Sequence, residues 1–181
     1  MTLRASLHRA IRPSTTRNTV AIWAKSLLNA VLFFCIFMVA MPWLAHRVLP
    51  ITLPIPPTLG AWLAGALALA GIAAWAACLD SFSRKGRGTP LPADAPRHLV
   101  TTGLFRHTRN PIMAAELAVI WAEAIYLASL GTTLYALLIS VAAHLLVVHV
   151  EEPELRERFG QSYEDYCRSV PRWLPRLLGE A

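Results

Sequence analysis

Arg106-His107-Thr108-Arg109-Asn110-Pro111 places two guanidinium groups three residues apart, directly ahead of an apolar run. Guanidinium groups bind carboxylate and phosphate oxygens bidentately. Pro111 suits the first position of a helix, where its missing N–H costs nothing. Asn110 then falls at the N-cap, where its side chain can accept from the unpaired N–H groups of the first turn. Arginines beside the positive end of a helix make a site for an anion. The plainer reading is a basic membrane flank with a helix cap. An acidic counterpart, Glu151-Glu152-Pro153, closes the last apolar run. Carboxylates at such a place can hold an ammonium group or sugar hydroxyls. Pro153 disfavours helical geometry at Glu152, which sends the two acids in different directions and only one of them into a pocket. Adjacent carboxylates also need compensating cations, and Arg106, Arg109 and Arg172 are available. A helix-end acid pair held by those arginines, with no ligand, is the alternative.

Other chemistries find little support. Cys35, Cys78 and Cys167 form no CxxC pair, and the histidines are dispersed, so neither a disulfide nor a metal is expected. There is no GxSxG nucleophile motif and no GxGxxG dinucleotide fingerprint. Glu116 and Glu123 interrupt an apolar run seven residues apart and so share a helix face. Ionisable groups at that depth are functional candidates. Glu116 is expected to point inward; Glu123 either does the same or reaches the far interface.

The elements that must position these residues follow from hydropathy. Of 181 residues 55% are hydrophobic and 15% charged, and the mean hydropathy is +0.45. The apolar residues cluster in runs long enough to span a bilayer. The expected fold is all-α: a single polytopic membrane bundle with about four transmembrane helices and a C-terminal amphipathic helix. A basic arm (1–19) comes first, its residues 2–12 patterned as a short surface helix or left as a disordered arm. Two spans follow (20–79), the first from about Val20 to Ala45 with Trp23 and Trp43 near its ends. The second runs from about Thr58 to Leu79, and its Gly60, Gly65 and Gly71 allow close helix approach. Pro50, Pro54, Pro56 and Pro57 make the connection between them stiff and extended.

A long loop (80–110), dense in Arg84, Lys85, Arg87 and Arg97, leads to a two-span hairpin (111–150). Its spans cover about Ile112 to Ala128 and Leu134 to Val150, with the turn near Ser129–Thr133. In the tail (151–181), Leu155, Phe159, Tyr163, Tyr166 and Val170 form the apolar stripe of one amphipathic helix, opposite Arg156, Glu157, Glu164 and Arg168. His144 in the last span is expected to hydrogen-bond to a neighbouring helix. The net charge of +6 sits on the arm, the long loop and the tail. That pattern fits anionic lipid headgroups rather than nucleic acid. It also puts both termini and the site in the cytoplasm.

Gly103-Leu104-Phe105-Arg106-His107-Thr108-Arg109-Asn110-Pro111, Glu151-Glu152-Pro153-Glu154-Leu155, Phe159-Gly160-Gln161-Ser162-Tyr163-Glu164-Asp165-Tyr166 and Val170-Pro171-Arg172, in that order, resemble the isoprenylcysteine carboxyl methyltransferase family, a relative of the phospholipid N-methyltransferases. The resemblance covers roughly Leu99 to Pro175. It implies an integral membrane enzyme that uses S-adenosyl-L-methionine to methylate a lipophilic acceptor entering from the bilayer. Carried over by position, Arg109, Asn110, Glu152 and Arg172 are the catalytic set. Arg106, His107, Arg109, Pro111, Glu151, Glu152, Tyr163 and Tyr166 are the cofactor-binding set. Two departures stand out: Asn110 replaces the family's usual histidine, and Met113 replaces an aromatic, and both bear on the acceptor. A membrane reductase with a nicotinamide cofactor and a non-enzymatic assembly protein remain the alternatives.

Overall fold

The computed structural model describes residues 31, 32, 34–81 and 98–174. The basic arm, Trp23 with the start of the first span, the Arg84–Pro96 part of the long loop, Pro175 and Arg176 lie outside the described residues. Within them the chain is helical, without a strand. We number the helices α1 (Met41–Val48), α2 (Pro57–Ser81), α3 (Pro111–Leu127), α4 (Leu130–Leu146), α5 (Glu152–Phe159) and α6 (Gln161–Ser169). Wider π-helical segments, Phe34–Ala40 and Val147–Glu151, run directly into α1 and α5. Each is followed by a proline in the next helix's first turn, Pro42 and Pro153. Proline has no N–H to give, and its ring collides with the carbonyl four residues back. A turn with one extra residue absorbs the mismatch without a break. That corrects the expectation for Pro153: Glu152 is helical, φ −62° and ψ −42°, and its N–H donates to the Val147 carbonyl.

The bundle centres on α3. Helix α2 lies along it and comes near enough at Gly71 that a Cβ there would sit 2.9 Å from the Ala115 carbonyl oxygen. Gly60 is also packed, but Gly65 faces open space, so the small-residue stripe is only partly a contact surface. Helix α4 packs on α1 and α3. Met38, Ile120, Ala124, Tyr135 and Ala136 form the core between them. Tyr135 donates to the Phe37 carbonyl (2.7 Å) and the Trp121 indole to Ser140 Oγ (3.2 Å), which satisfies both polar tips inside the apolar layer.

The α3–α4 turn is tighter than the sequence suggests. Ala128 takes the left-handed conformation (φ 43°), and α4 starts at Leu130 rather than Leu134. Thr132 and Thr133, expected in the turn, lie in the helix, and their hydroxyls donate to the Ser129 carbonyl (3.0 and 2.8 Å). The proline-rich connection docks on this turn. Leu53 N–H donates to the Ala128 carbonyl (2.6 Å) and Leu130 N–H to the Ile51 carbonyl (2.9 Å).

Among the described residues, two helical stretches are long and apolar enough to cross a bilayer: the 25 residues of α2, and the 30 residues from Leu130 to Phe159. About 20 residues cover the hydrocarbon, so α4 with its π turn reaches Val150 and α5 projects past it. Their outer faces carry Trp62, Leu69, Leu138 and Val141, all exposed. The tail is two helices, not one. Gly160, at φ 53° and ψ −128°, breaks it between α5 and α6 in a conformation that a side chain resists.

Candidate functional site: an arginine-bound glutamate at the end of the bundle

Glu152 opens α5 and is 2% exposed. Its carboxylate is paired with three arginines, two of which donate hydrogen bonds to it. Arg172 binds both oxygens, Nε to Oε1 at 2.6 Å and Nη2 to Oε2 at 3.1 Å. Arg109 Nη1 reaches Oε1 at 3.0 Å, and Arg156 Nη2 reaches Oε2 at 3.2 Å. Arg156 also donates through Nε to Glu164 (2.9 Å), which joins α5 to α6. Burial alone would raise the Glu152 pKa, but the Arg172 hydrogen bonds and the charges of Arg109, Arg172 and Arg156 outweigh it and hold the group below the ordinary carboxylate range.

The backbone between Arg106 and Pro111 is tied to the same node. Arg109 N–H donates to the Pro171 carbonyl (2.9 Å). The Arg172 carbonyl accepts from Thr108 Oγ1 and from Asn110 Nδ2, both at 3.0 Å. Asn110 is therefore not a side-chain cap for α3: its amide donates away from the helix, because the Arg172 carbonyl needs a partner. Pro111 does occupy the first turn and is buried. Tyr166 donates to the Phe105 carbonyl (2.6 Å), and with Tyr163 and Val170 it forms an apolar floor under the node. Burial raises both tyrosine pKa values, so they remain neutral hydroxyl donors.

Of the residues singled out from sequence, Arg109, Asn110, Pro111, Glu152, Tyr163, Tyr166 and Arg172 come together. Arg106 does not join them; it is exposed, and its Nε donates to His107 Nε2 (2.8 Å). As a cation for the acid pair it is replaced by Arg156, which the helical stripe had set on the opposite face. The i,i+4 spacing from Glu152 is the signal that finds it. Thr108 and Cys167 were also missed as site residues; Cys167 Sγ accepts from Arg109 Nη1 (2.8 Å). His144 takes its partner from the tail, the Trp173 indole at 3.0 Å, not from a neighbouring helix.

The two acids do point apart, since successive helical side chains are about 100° apart. Glu151 is half-buried and has no hydrogen-bond or ion-pair partner among the described residues. Its pKa is raised by burial and then by the charges of Glu154 and Glu152. The Glu116 carboxyl lies near it, flanked by Trp75 of α2. Arg109 Nε is buried without a partner. Unused acceptors and an unused guanidinium donor at one end of the bundle suit an amino-acid-like group, cationic at one point and anionic at another.

Tyr166→Phe tests the floor. It removes the hydroxyl that donates to the Phe105 carbonyl and should cost about 1–2 kcal/mol, read as a lowered melting temperature in detergent.

The family model for phospholipid methyltransferase matches residues 60–162, from α2 to the start of α6. Methanethiol S-methyltransferase 2 of Bradyrhizobium diazoefficiens is 36% identical over 92 residues, covering 51% of this chain and 33% of that protein. The chain thus spans about a third of that relative's length. Together with the clustered motif residues, the family match establishes that the chain belongs to the phospholipid methyltransferase family.

Proposed function

We propose that the protein transfers a methyl group from S-adenosyl-L-methionine to a lipophilic acceptor. The observation that carries this reading is the division of labour in the acid pair: Glu152 is saturated by arginine, and Glu151, beside Glu116, has no partner among the described residues. The cofactor supplies an electrophilic methyl on a sulfonium. Glu151 and Glu116 are suited to hold its positive groups, and Arg109 Nε its carboxylate. Glu152, Arg172 and Arg156 hold Arg109 and the 106–111 backbone in place, a positioning role. Asn110, tethered to the Arg172 carbonyl, sits at the mouth of α3 where the acceptor must arrive. Methyl transfer needs acceptor, carbon and sulfur in line with water excluded, and no nucleophilic side chain takes part.

Four spans with cytoplasmic termini form a single membrane domain in this proposal. The two long apolar stretches support two spans. Helix α3, with 17 residues, and the helix running from residue 34 to Val48 supply the others, their shortness met by local thinning of the bilayer and snorkelling of flanking side chains. Lateral entry suits Met113, half-buried in the first turn of α3, whose flexible thioether adapts to apolar ligands. The matched relative is named for a small thiol acceptor, and turnover of a panel of membrane lipids, alkyl thiols and small polar acceptors decides the class. Turnover of small polar acceptors alone removes lateral entry.

Titration calorimetry in detergent should show binding of S-adenosylhomocysteine and none of NADPH. Glu151→Gln should weaken that binding by about 1.5–3 kcal/mol, the worth of a hydrogen bond to a charged group, with its thermal melt preserved. Equal affinity in the variant would remove Glu151 from the site. Binding of NADPH instead would overturn the cofactor assignment.

A further inference from the structure

At the other end of α3 lies a cavity of about 230 Å³ between α1 and α3, walled by Met38, Trp43, Tyr126 and Leu127. Two polar side chains enter this apolar lining, Glu123 and His46. Glu123 Oε2 and His46 Nδ1 are both buried, and neither has a hydrogen-bond partner. Glu123 lies roughly 18 Å along the helix from Pro111, at 1.5 Å per residue, so the cavity is separate from the arginine node.

Two neighbouring groups, Tyr135 and Arg47, are committed elsewhere. Tyr135 is close to Glu123, but its hydroxyl donates to the Phe37 carbonyl. Arg47 lies with its guanidinium 4.9 Å from the centre of the Trp43 ring and forms no ion pair among the described residues. A buried carboxyl and a buried imidazole nitrogen left without partners are costly. An occupant that donates hydrogen bonds to both offsets that cost. A cation is favoured over a neutral donor because it cancels the charge of Glu123. The remaining walls are apolar and open toward the exposed faces of Trp43 and Tyr126, which suits an alkyl chain.

We infer that this cavity binds a protonated amine carried on an apolar chain, with the ammonium between Glu123 and His46 and the chain lying along α1 and α3. The site does not depend on the methyl-transfer reading, since it shares no residue with the arginine node.

The probe is dodecylamine, titrated calorimetrically into the full-length protein in uncharged maltoside micelles. Dodecanol and dodecanoate serve as controls for simple partition. The amine should bind at a saturable site, and the alcohol and the acid should not. Glu123→Gln keeps the side chain's shape and removes its charge; it should weaken amine binding at least tenfold. Leu127→Trp fills the mouth of the cavity, leaves Glu123 in place and should weaken it as well. Both variants should bind S-adenosylhomocysteine like the parent, which separates loss of the site from loss of the fold. Equal heats for amine, alcohol and acid, or unchanged amine affinity in Glu123→Gln, would overturn the inference.

Discussion

Glu152→Ala should cost about 3–5 kcal/mol, the penalty for removing one partner from a buried charge cluster. Arg109, Arg172 and Arg156 would then converge with no anion among them. Their repulsion releases the 170–173 segment, and with it the Thr108 and Asn110 bonds to the Arg172 carbonyl. Monodisperse protein by size exclusion and the thermal melt in detergent report the loss. Adding Arg172→Met should recover part of it, because one of the unpaired cations is gone. The pH dependence has a definite sign. The folded-state pKa of Glu152 is depressed below the ordinary value of 4.5, so its contribution is complete above that value. It is lost as the pH falls through the folded-state pKa. Wild-type stability should therefore drop on acidification below about pH 4.5, with a slope that the Ala variant lacks. An equal acid slope in both proteins would show that Glu152 is not the group responsible.

Gly131→Ala should be the most damaging single-methyl change. A Cβ there would collide with the Ala45 carbonyl and come within 2.9 Å of the Leu49 carbonyl oxygen. Both obstacles are backbone at the end of α1, where no side chain can rotate away. Overpacking of this kind costs about 1–3 kcal/mol and more when backbone must move, and we expect the upper end. Gly65→Ala is the internal control. It meets nothing within 4 Å and should be neutral or stabilising by up to about 1 kcal/mol, the difference in helix propensity. Similar melts for the two variants would mean that α1 and α4 do not pack as described.

How far the sequence reveals this arrangement depends on the kind of information each feature carries. The apolar runs locate α2, α3 and α4 because bilayer-length hydrophobicity is a local property. The meeting of Arg109, Glu152 and Arg172 is legible from charge balance, since a buried acid pair requires cations. Which cation answers which acid is only half legible: Arg156 follows from its i,i+4 spacing to Glu152, but that Arg106 turns to His107 instead depends on the local fold of the 103–107 segment. The same holds for Asn110. Its residue type fits a cap, but its amide is drawn to a carbonyl 62 residues away. Gly65 and Gly131 look alike in sequence, and only the neighbouring helix decides that one is free and the other essential.

The docking of the proline-rich connection on the α3–α4 turn bears on the order in which the chain can settle during synthesis. Ile51 and Leu53 emerge from the ribosome long before Ala128 and Leu130. Until the second pair arrives, the Leu53 N–H and the Ile51 carbonyl have only water to bond. Hydrocarbon offers nothing to such groups, so the early connection is held at an aqueous surface while the later helices are still being made. When the second turn reaches the same surface, it inherits that anchor. The two connections are then held together by backbone alone, whatever charges the flanking segments carry.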